Sequence, residues 1–347
     1  SGDATCDVHY YAELEFGHHG SLYDNDNNRD DNVWGDLNGY PNSKTFLPRE
    51  EIDYGTLREA WIEYETCPWF IFRMGLVKTP TTRQLMTPPE LQQFVDVSMA
   101  SAFIGQSMPG YSDRNRDYGA LMHGAFGCDG EFQYQVAITN GDGPVHRNVL
   151  DGETSDNFAY SARFNWDIKG HLGYEEGALR SNECEWAASV GAWAHYYADA
   201  EQHMSFSKYA DRLTWGVDGA FVWGGLSVTA AYNAMDWTND ANGNNEFEGF
   251  SWLVQAGYLF PGTAWELAAR YSYYELDFGG FMHGGAEMAV AVTYYIDGHA
   301  DKVTLDVAFI TPEGDDESNA LADTYAGYST TYDSDAVLVR LQWQLAL

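Results

Sequence analysis

The chain has 347 residues and carries 52 acidic side chains against 18 basic ones, a formal charge of −34. That balance argues against nucleic acid as a partner, because phosphate contacts need Lys and Arg, and no apolar run approaches the roughly 20 residues of a membrane helix. Yet 16% of the residues are aromatic, with 24 Tyr and 12 Trp, at a mean hydropathy of −0.40.

Alternation with period two reconciles these figures. It marks fourteen strands in chain order, at about 7–16, 56–65, 69–78, 117–126, 131–140, 158–166, 186–197, 212–223, 226–236, 248–259, 264–275, 286–296, 302–310 and 336–347. In 158–166 one face is Phe158, Tyr160, Ala162, Phe164 and Trp166, with Ala159, Ser161, Arg163 and Asn165 opposite. In 302–310 Val303, Leu305, Val307 and Phe309 oppose Lys302, Thr304, Asp306 and Ala308. The last strand, 336–347, sets Val337, Val339, Leu341, Trp343 and Leu345 against Arg340, Gln342 and Gln344. One such strand could belong to a sheet with one side on a soluble core. Fourteen with no helical interlude predict an all-β, antiparallel transmembrane barrel over 1–347, in which only half of each strand meets lipid.

The connections alternate as well. Short turns fall at Thr66-Cys67-Pro68, 127–130, Gly224-Gly225, Pro261-Gly262-Thr263 and 297–300, and long polar loops near 17–55, 79–116, 141–157, 198–211, 237–247, 276–285 and 311–335. Tight turns at one end and long loops at the other are the asymmetry of outer-membrane barrels, with the long loops extracellular. Residues 167–185 break the rule: a tight turn is due there, and the segment is long and acidic. No positively charged, apolar leader opens the chain, so it is read as mature, or as having its leader outside this sequence.

The most specific signal runs from 57 to 141. Leu57-Arg58-Glu59-Ala60-Trp61-Ile62-Glu63-Tyr64 leads through a tight turn to Phe72-Arg73-Met74-Gly75-Leu76-Val77-Lys78-Thr79-Pro80, then to Gln84-Leu85-Met86-Thr87, Phe94-Val95-Asp96, Ser98-Met99-Ala100-Ser101-Ala102-Phe103, Asp117-Tyr118-Gly119 and Tyr134-Gln135-Val136-Ala137-Ile138-Thr139-Asn140-Gly141. This order resembles the phosphate-selective porin O and P family, and the likeness continues more weakly over 286–347. The resemblance implies a homotrimer of sixteen-stranded barrels, each narrowed by its inward-folded third loop. Two departures follow. The alternation yields fourteen strands, with 7–16 at the place of the family's third, so either the barrel is smaller or an N-terminal hairpin lies outside the sequence. The family's anion-selective members line their pores with many cations, and this chain has few.

If the apolar faces meet lipid, the opposite faces line the pore. The basic lining residues are then Arg73, Arg163, Arg212, Arg270, Lys302 and Arg340, and the acidic ones Asp7, Glu13, Glu15, Glu59, Glu63, Asp117, Glu131, Asp218, Glu266, Glu287 and Asp306. His9, His123 and His195 add pH-dependent charge. Pores select by the charges at the narrowest point, or the opposed charges pair along the wall and keep a wide pore wet. In the third loop, 79–116, Pro88-Pro89-Glu90 reads as a helix start. Lys78, Arg83, Arg114 and Arg116 flank it as candidate constriction cations. The competing reading pairs Arg114 and Arg116 with Asp113 and Asp117.

Cys6, Cys67, Cys128 and Cys184 all map to the short-turn end, at the bases of neighbouring hairpins, and an oxidising periplasm predicts the bridges Cys6–Cys67 and Cys128–Cys184. Asp24, Asp26 and Asn28 resemble the start of a Ca²⁺ loop, but Arg29 stands where Gly is needed and no Glu follows at the twelfth position. No other cofactor is implied, and no phosphate loop or nucleophile elbow is present. The sequence therefore reads as a non-enzymatic passive channel for small hydrophilic solutes and ions, inorganic anions such as phosphate included, in contact with outer-membrane lipid and lipopolysaccharide. The alternative is a structural envelope barrel whose acidic loops bind Ca²⁺ or a partner.

Overall fold

Residues that alternate in the sequence alternate across a sheet. The computed structural model describes residues 2–5, 7–15, 56–107, 116–141, 158–179, 185–201, 209–239, 245–278, 281–314 and 335–345. The strands are β1 (Gly2–Thr5), β2 (Val8–Glu15), β3 (Thr56–Cys67), β4 (Phe70–Lys78), β5 (Arg116–Phe126), β6 (Phe132–Thr139), β7 (Ala159–Lys169), β8 (Ala187–Glu201), β9 (Tyr209–Trp223), β10 (Leu226–Asn239), β11 (Asn245–Leu259), β12 (Trp265–Phe278), β13 (Phe281–Asp297), β14 (Asp301–Gly314) and β15 (Ala336–Leu345). Each pairs antiparallel with its sequence neighbours in one up-and-down sheet, with β1 and β15 at the ends of the order among the described residues. Fourteen of these strands match the alternation. β1 is an addition, four residues long and too short to display a period.

Turn chemistry sets the register. Trp223 pairs with Leu226, leaving Gly224 and Gly225 as a two-residue turn with φ of 57° and 89°. Two positive φ values make the turn whose twist suits a hairpin, and glycine adopts them without a Cβ clash. The expected long loop at 276–285 is not one: Phe278 pairs with Phe281. Alternation fades there because Gly284 and Gly285 supply no side chain to display it.

Burial is inverted relative to a soluble protein. In β7 Ser161, Arg163, Asn165 and Asp167 are buried, while Tyr160, Phe164, Trp166 and Ile168 are exposed. In β15 Leu341 is 72% and Trp343 70% exposed. Outward aromatics form contacting runs near the short-turn end, from Phe126 to Phe132 to Trp166, Trp186 to Phe221 and Trp265 to Tyr294. A second run, Trp215–Tyr232–Phe250–Tyr273, lies further toward the other end. Paired aromatic bands bounding an apolar belt are the pattern of a membrane-spanning barrel.

The buried polar face surrounds the segment between β4 and β5. It contains the helix α1 (Arg83–Met86), a 3-10 turn at Pro89–Leu91 and the helix α2 (Met99–Ser107). The helix expected from Pro88-Pro89 stops after that single turn. Beyond it the backbone bonds to the wall instead of to itself: Lys302 Nζ donates to Gln92 O, and Val95 N donates to Asp306. The longer helix starts later, where Ser98 Oγ accepts the N–H of Ser101 as an N-cap.

Candidate functional site

One segment touches strands from β4 to β15. Lys78 Nζ of β4 donates to Met86 O, Arg163 Nη1 of β7 to Thr81 O, Ser251 Oγ of β11 to Ala100 O, Arg270 Nη1 of β12 to Asp96 O and Gln344 Nε2 of β15 to Glu90 O. Wall carboxylates accept its amides: Arg83 N donates to Asp218 of β9, and Met99 N to Glu287 of β13. Laid flat, β4 and β15 would be about 50 Å apart at ~4.8 Å per strand. Residues 79–107 reach both because the sheet curls around them. Leu85, Val97, Met99, Phe103 and Ile104 form an apolar core with Trp193, Met235, Trp237, Tyr274, Leu276 and Ile310 of the wall.

Two glycines make room for this packing. A Cβ on Gly257 would overlap the Gln93 amide, and one on Gly191 would stand 2.5 Å from Arg163 Nη2. Gly191 pairs with Asn165 on one side and Asp218 on the other, so Arg163 passes over it to reach Asp218, two strands away. Neither residue could do so across a side chain.

Among the described residues, five interior arginines are paired with carboxylates. Arg163 makes two 2.7 Å bonds to Asp218, Arg270 lies 2.5 Å from Glu287, Arg340 binds Asp306, and Arg73 lies 2.7 Å from Glu63. Arg116 contacts Glu59 at 3.2 Å, and His123 shares Glu63 with Arg73. Rings cover several cations: Arg73 lies 3.7 Å over Trp61, Arg212 4.5 Å over Trp237 and Arg270 4.3 Å over Phe94. Pairing and hydrogen bonding are what allow such charges to be dry.

The candidate residues from the sequence divide accordingly. Arg83 is 2% exposed, donates to Gly173 O and lies near the Tyr174 ring, and burial lowers its pKa against the opposing pull of Asp218. Arg116 is buried and bonds Glu59, and its neighbour Asp117 accepts the N–H groups of Tyr118 and Gly141. Arg114 and its neighbour Asp113 lie outside the described residues. Glu131 stays in the 127–131 turn, accepting the N–H of Asp129, and backbone N–H donors lower its pKa. Interior residues of β7–β14 are mostly buried, while Glu59, Trp61, Glu63, Arg73, His123, Gln133, Arg340 and Gln342 of β3–β6 and β15 are partly exposed. The accessible interior therefore lies along β3–β6 and β15.

The alternation also passed over uncharged residues that tie the segment to its surroundings: Gln84 and Gln93 of the segment and Gln255 of the wall. Charge-based reading does not see them. The lumen-facing Gly257 was the available signal.

The expected disulfides are not supported. Cys67 and Cys128 are free thiols. Cys6 and Cys184, like Asp24, Asp26 and Asn28, lie outside the described residues. A shared barrel end brings cysteines to one height, but a bridge needs Cα atoms about 4.4–6.8 Å apart. No group of three metal-ligating side chains occurs among the described residues.

The model of the family described as phosphate-selective porin O and P matches residues 1–345. The chain belongs to this family. It is an outer-membrane porin, a passive diffusion channel of the bacterial outer membrane. The porin is similar in fold to an anion-selective porin from Comamonas acidovorans, at 11% identity and a TM-score of 0.52 over 84% of this chain and 75% of the other. It is also similar to the outer membrane channel DcaP of Acinetobacter baumannii, at 12% identity and a TM-score of 0.50 over 85% and 76%. At these identities the likeness speaks for the fold alone. A search of curated protein sequences finds no match.

Proposed function

We propose that this porin passes small hydrophilic solutes and ions through a lumen narrowed by residues 79–107, with weak preference for either sign of charge. Inorganic anions such as phosphate are among its solutes. One observation carries the reading: Arg73, Arg116, Arg163, Arg270 and Arg340 each lie against a carboxylate. A pore selects ions by the field at its narrowest point, and a paired wall leaves little net field. Its partly exposed polar residues keep the remaining passage wet. The family's architecture supports a homotrimer. The short turns at one end support the placing of the long loops outside the cell, beside lipopolysaccharide.

The test is the reversal potential of purified protein in a planar bilayer under a salt gradient. The expected permeability ratio for anion over cation lies within about threefold of unity. A strongly anion-selective reversal would overturn the charge-balance reading and give Lys78, Arg83, Arg114 and Arg116 control of the constriction.

A further inference from the structure

We propose that residues 171–179, in the β7–β8 connection, are a second narrowing element, entering the lumen from the short-turn end, and that Glu176 is the positioning residue through which they hold residues 79–107. The proposal rests on the reading of 79–107 as the constriction.

The connection follows β7 at the end where the other described links are tight turns. Residues 171–179 fold inward instead: Leu172, Glu176, Gly177 and Ala178 are buried. A loop that enters a dry interior must have its backbone polar groups satisfied, and this one has partners on the constriction segment. Glu176 N donates to Leu91 O at 3.0 Å. Gly173 O accepts from Arg83 Nη2. Tyr174 OH accepts from Arg163 Nε at 3.0 Å and from Asn165 Nδ2 at 2.9 Å, and its ring lies within 5.8 Å of the Arg83 guanidinium.

Glu176 joins the parts. Its carboxylate is 2% exposed and accepts from Gln84 Nε2, Gln93 N and Gln255 Nε2, each at 3.0 Å. Two of these donors belong to the constriction segment and one to β11. A carboxylate is stable in a dry interior only while its donors are present. The connection therefore needs 79–107 in place, and 79–107 loses the two bonds that Gln84 and Gln93 make to Glu176 if the connection withdraws. Gly177 fits where a Cβ would stand 3.0 Å from Glu266 Oε2, so the entry path accepts little more than backbone at that point.

The experiment is single-channel conductance of the full-length protein in planar bilayers, with the polyethylene glycol size that enters the pore as a second readout. Wild type is compared with Glu176→Ala, Glu176→Gln and, as control, the exposed Glu185→Ala. We expect Glu176→Ala to raise conductance about twofold or more and to admit larger polymers. Glu176→Gln should do so less, because its amide oxygen still accepts, and Glu185→Ala should match wild type. If Glu176→Ala fails to assemble, Gln84→Ala and Gln255→Ala remove donors from either side and are read the same way. Assembled Glu176 variants with wild-type conductance and exclusion size would overturn the proposal while leaving the channel reading intact. Wild type and all variants equally silent would overturn the channel reading itself.

Discussion

The backbone N–H of Met99 donates to Glu287 Oε2 at 2.9 Å, so a carboxylate of the wall supplies an acceptor for the first turn of a helix inside it. Helix N-termini leave their first amides without intrahelical partners. Here Ser98 takes one and the wall takes another. The other oxygen of Glu287 holds Arg270, and Ser272 donates to the carboxylate as well. One acid thus fixes both the wall and the helix it surrounds.

Truncating that acid separates the two roles. Glu287→Ala leaves Arg270 buried without its carboxylate, and breaking a buried pair on one side costs about 3–5 kcal/mol. The double variant Arg270→Met/Glu287→Leu should recover much of this loss in denaturant unfolding followed by Trp fluorescence. Its helix should stay unpinned, and its single-channel current should be noisier than that of wild type. A double variant as unstable as Glu287→Ala would contradict the account.

Gly257→Val should open the passage. The new side chain claims the space of the Gln93 amide, which also bonds Ser227 and Glu266. In the wall itself the new Cβ meets only the end of one side chain, at 2.7 Å from Glu266 Oε1 of β12, so barrel stability should fall by the shift of that carboxylate while conductance rises. Unaltered conductance in an assembled variant would mean that Gln93 does not hold the segment.

Facing predicts opposite outcomes for neighbouring positions on β15. Leu341 points outward and Gln342 inward. Leu341→Lys should cost about 2–4 kcal/mol in lipid, the value for a lysine near the bilayer midplane. Gln342→Lys should be tolerated and register in ion selectivity. Equal losses at both positions would show that the strand does not separate lipid from lumen.

Acid should loosen one turn. Glu131 is held ionised by backbone N–H donors, and its pKa is lowered. A depressed pKa means the contribution is present above the ordinary carboxylate range and is lost as pH falls through the lowered value. Hydrogen-exchange protection of the Asp129 amide should therefore drop on acidification and become pH-independent in Glu131→Gln. Protection that is flat with pH in wild type would disprove the link.

The faces of most strands were readable because period two survives unchanged in a curled sheet, as β7 and β15 illustrate. Strand ends at 276–285 were not, because glycines interrupt the pattern. Some interior pairs follow directly from register: Arg340 stands opposite Asp306, and Arg73 opposite Glu63. The Arg163–Asp218 pair does not, since it spans a third strand over Gly191. Which residues meet 79–107 depends on the curvature of the whole sheet, and no local pattern encodes that. The oversized link at 167–185 was visible as an exception, but the inward course of residues 171–179 was not, because an acidic stretch reads as solvated until its donors are known.

Chain order has a consequence for assembly. Apart from Lys78 and the links within the segment itself, the wall anchors of residues 79–107 lie downstream, from Arg163, 82 positions beyond Thr81, to Gln344, 254 positions beyond Glu90. Contacts of such sequence separation form late and slowly. The segment emerges early and must wait, its apolar side chains uncovered, until the later hairpins have curled around it. A newly inserted wall is thus wide before it is narrow, and the rate at which the channel reaches its mature bore is the docking rate of this one segment.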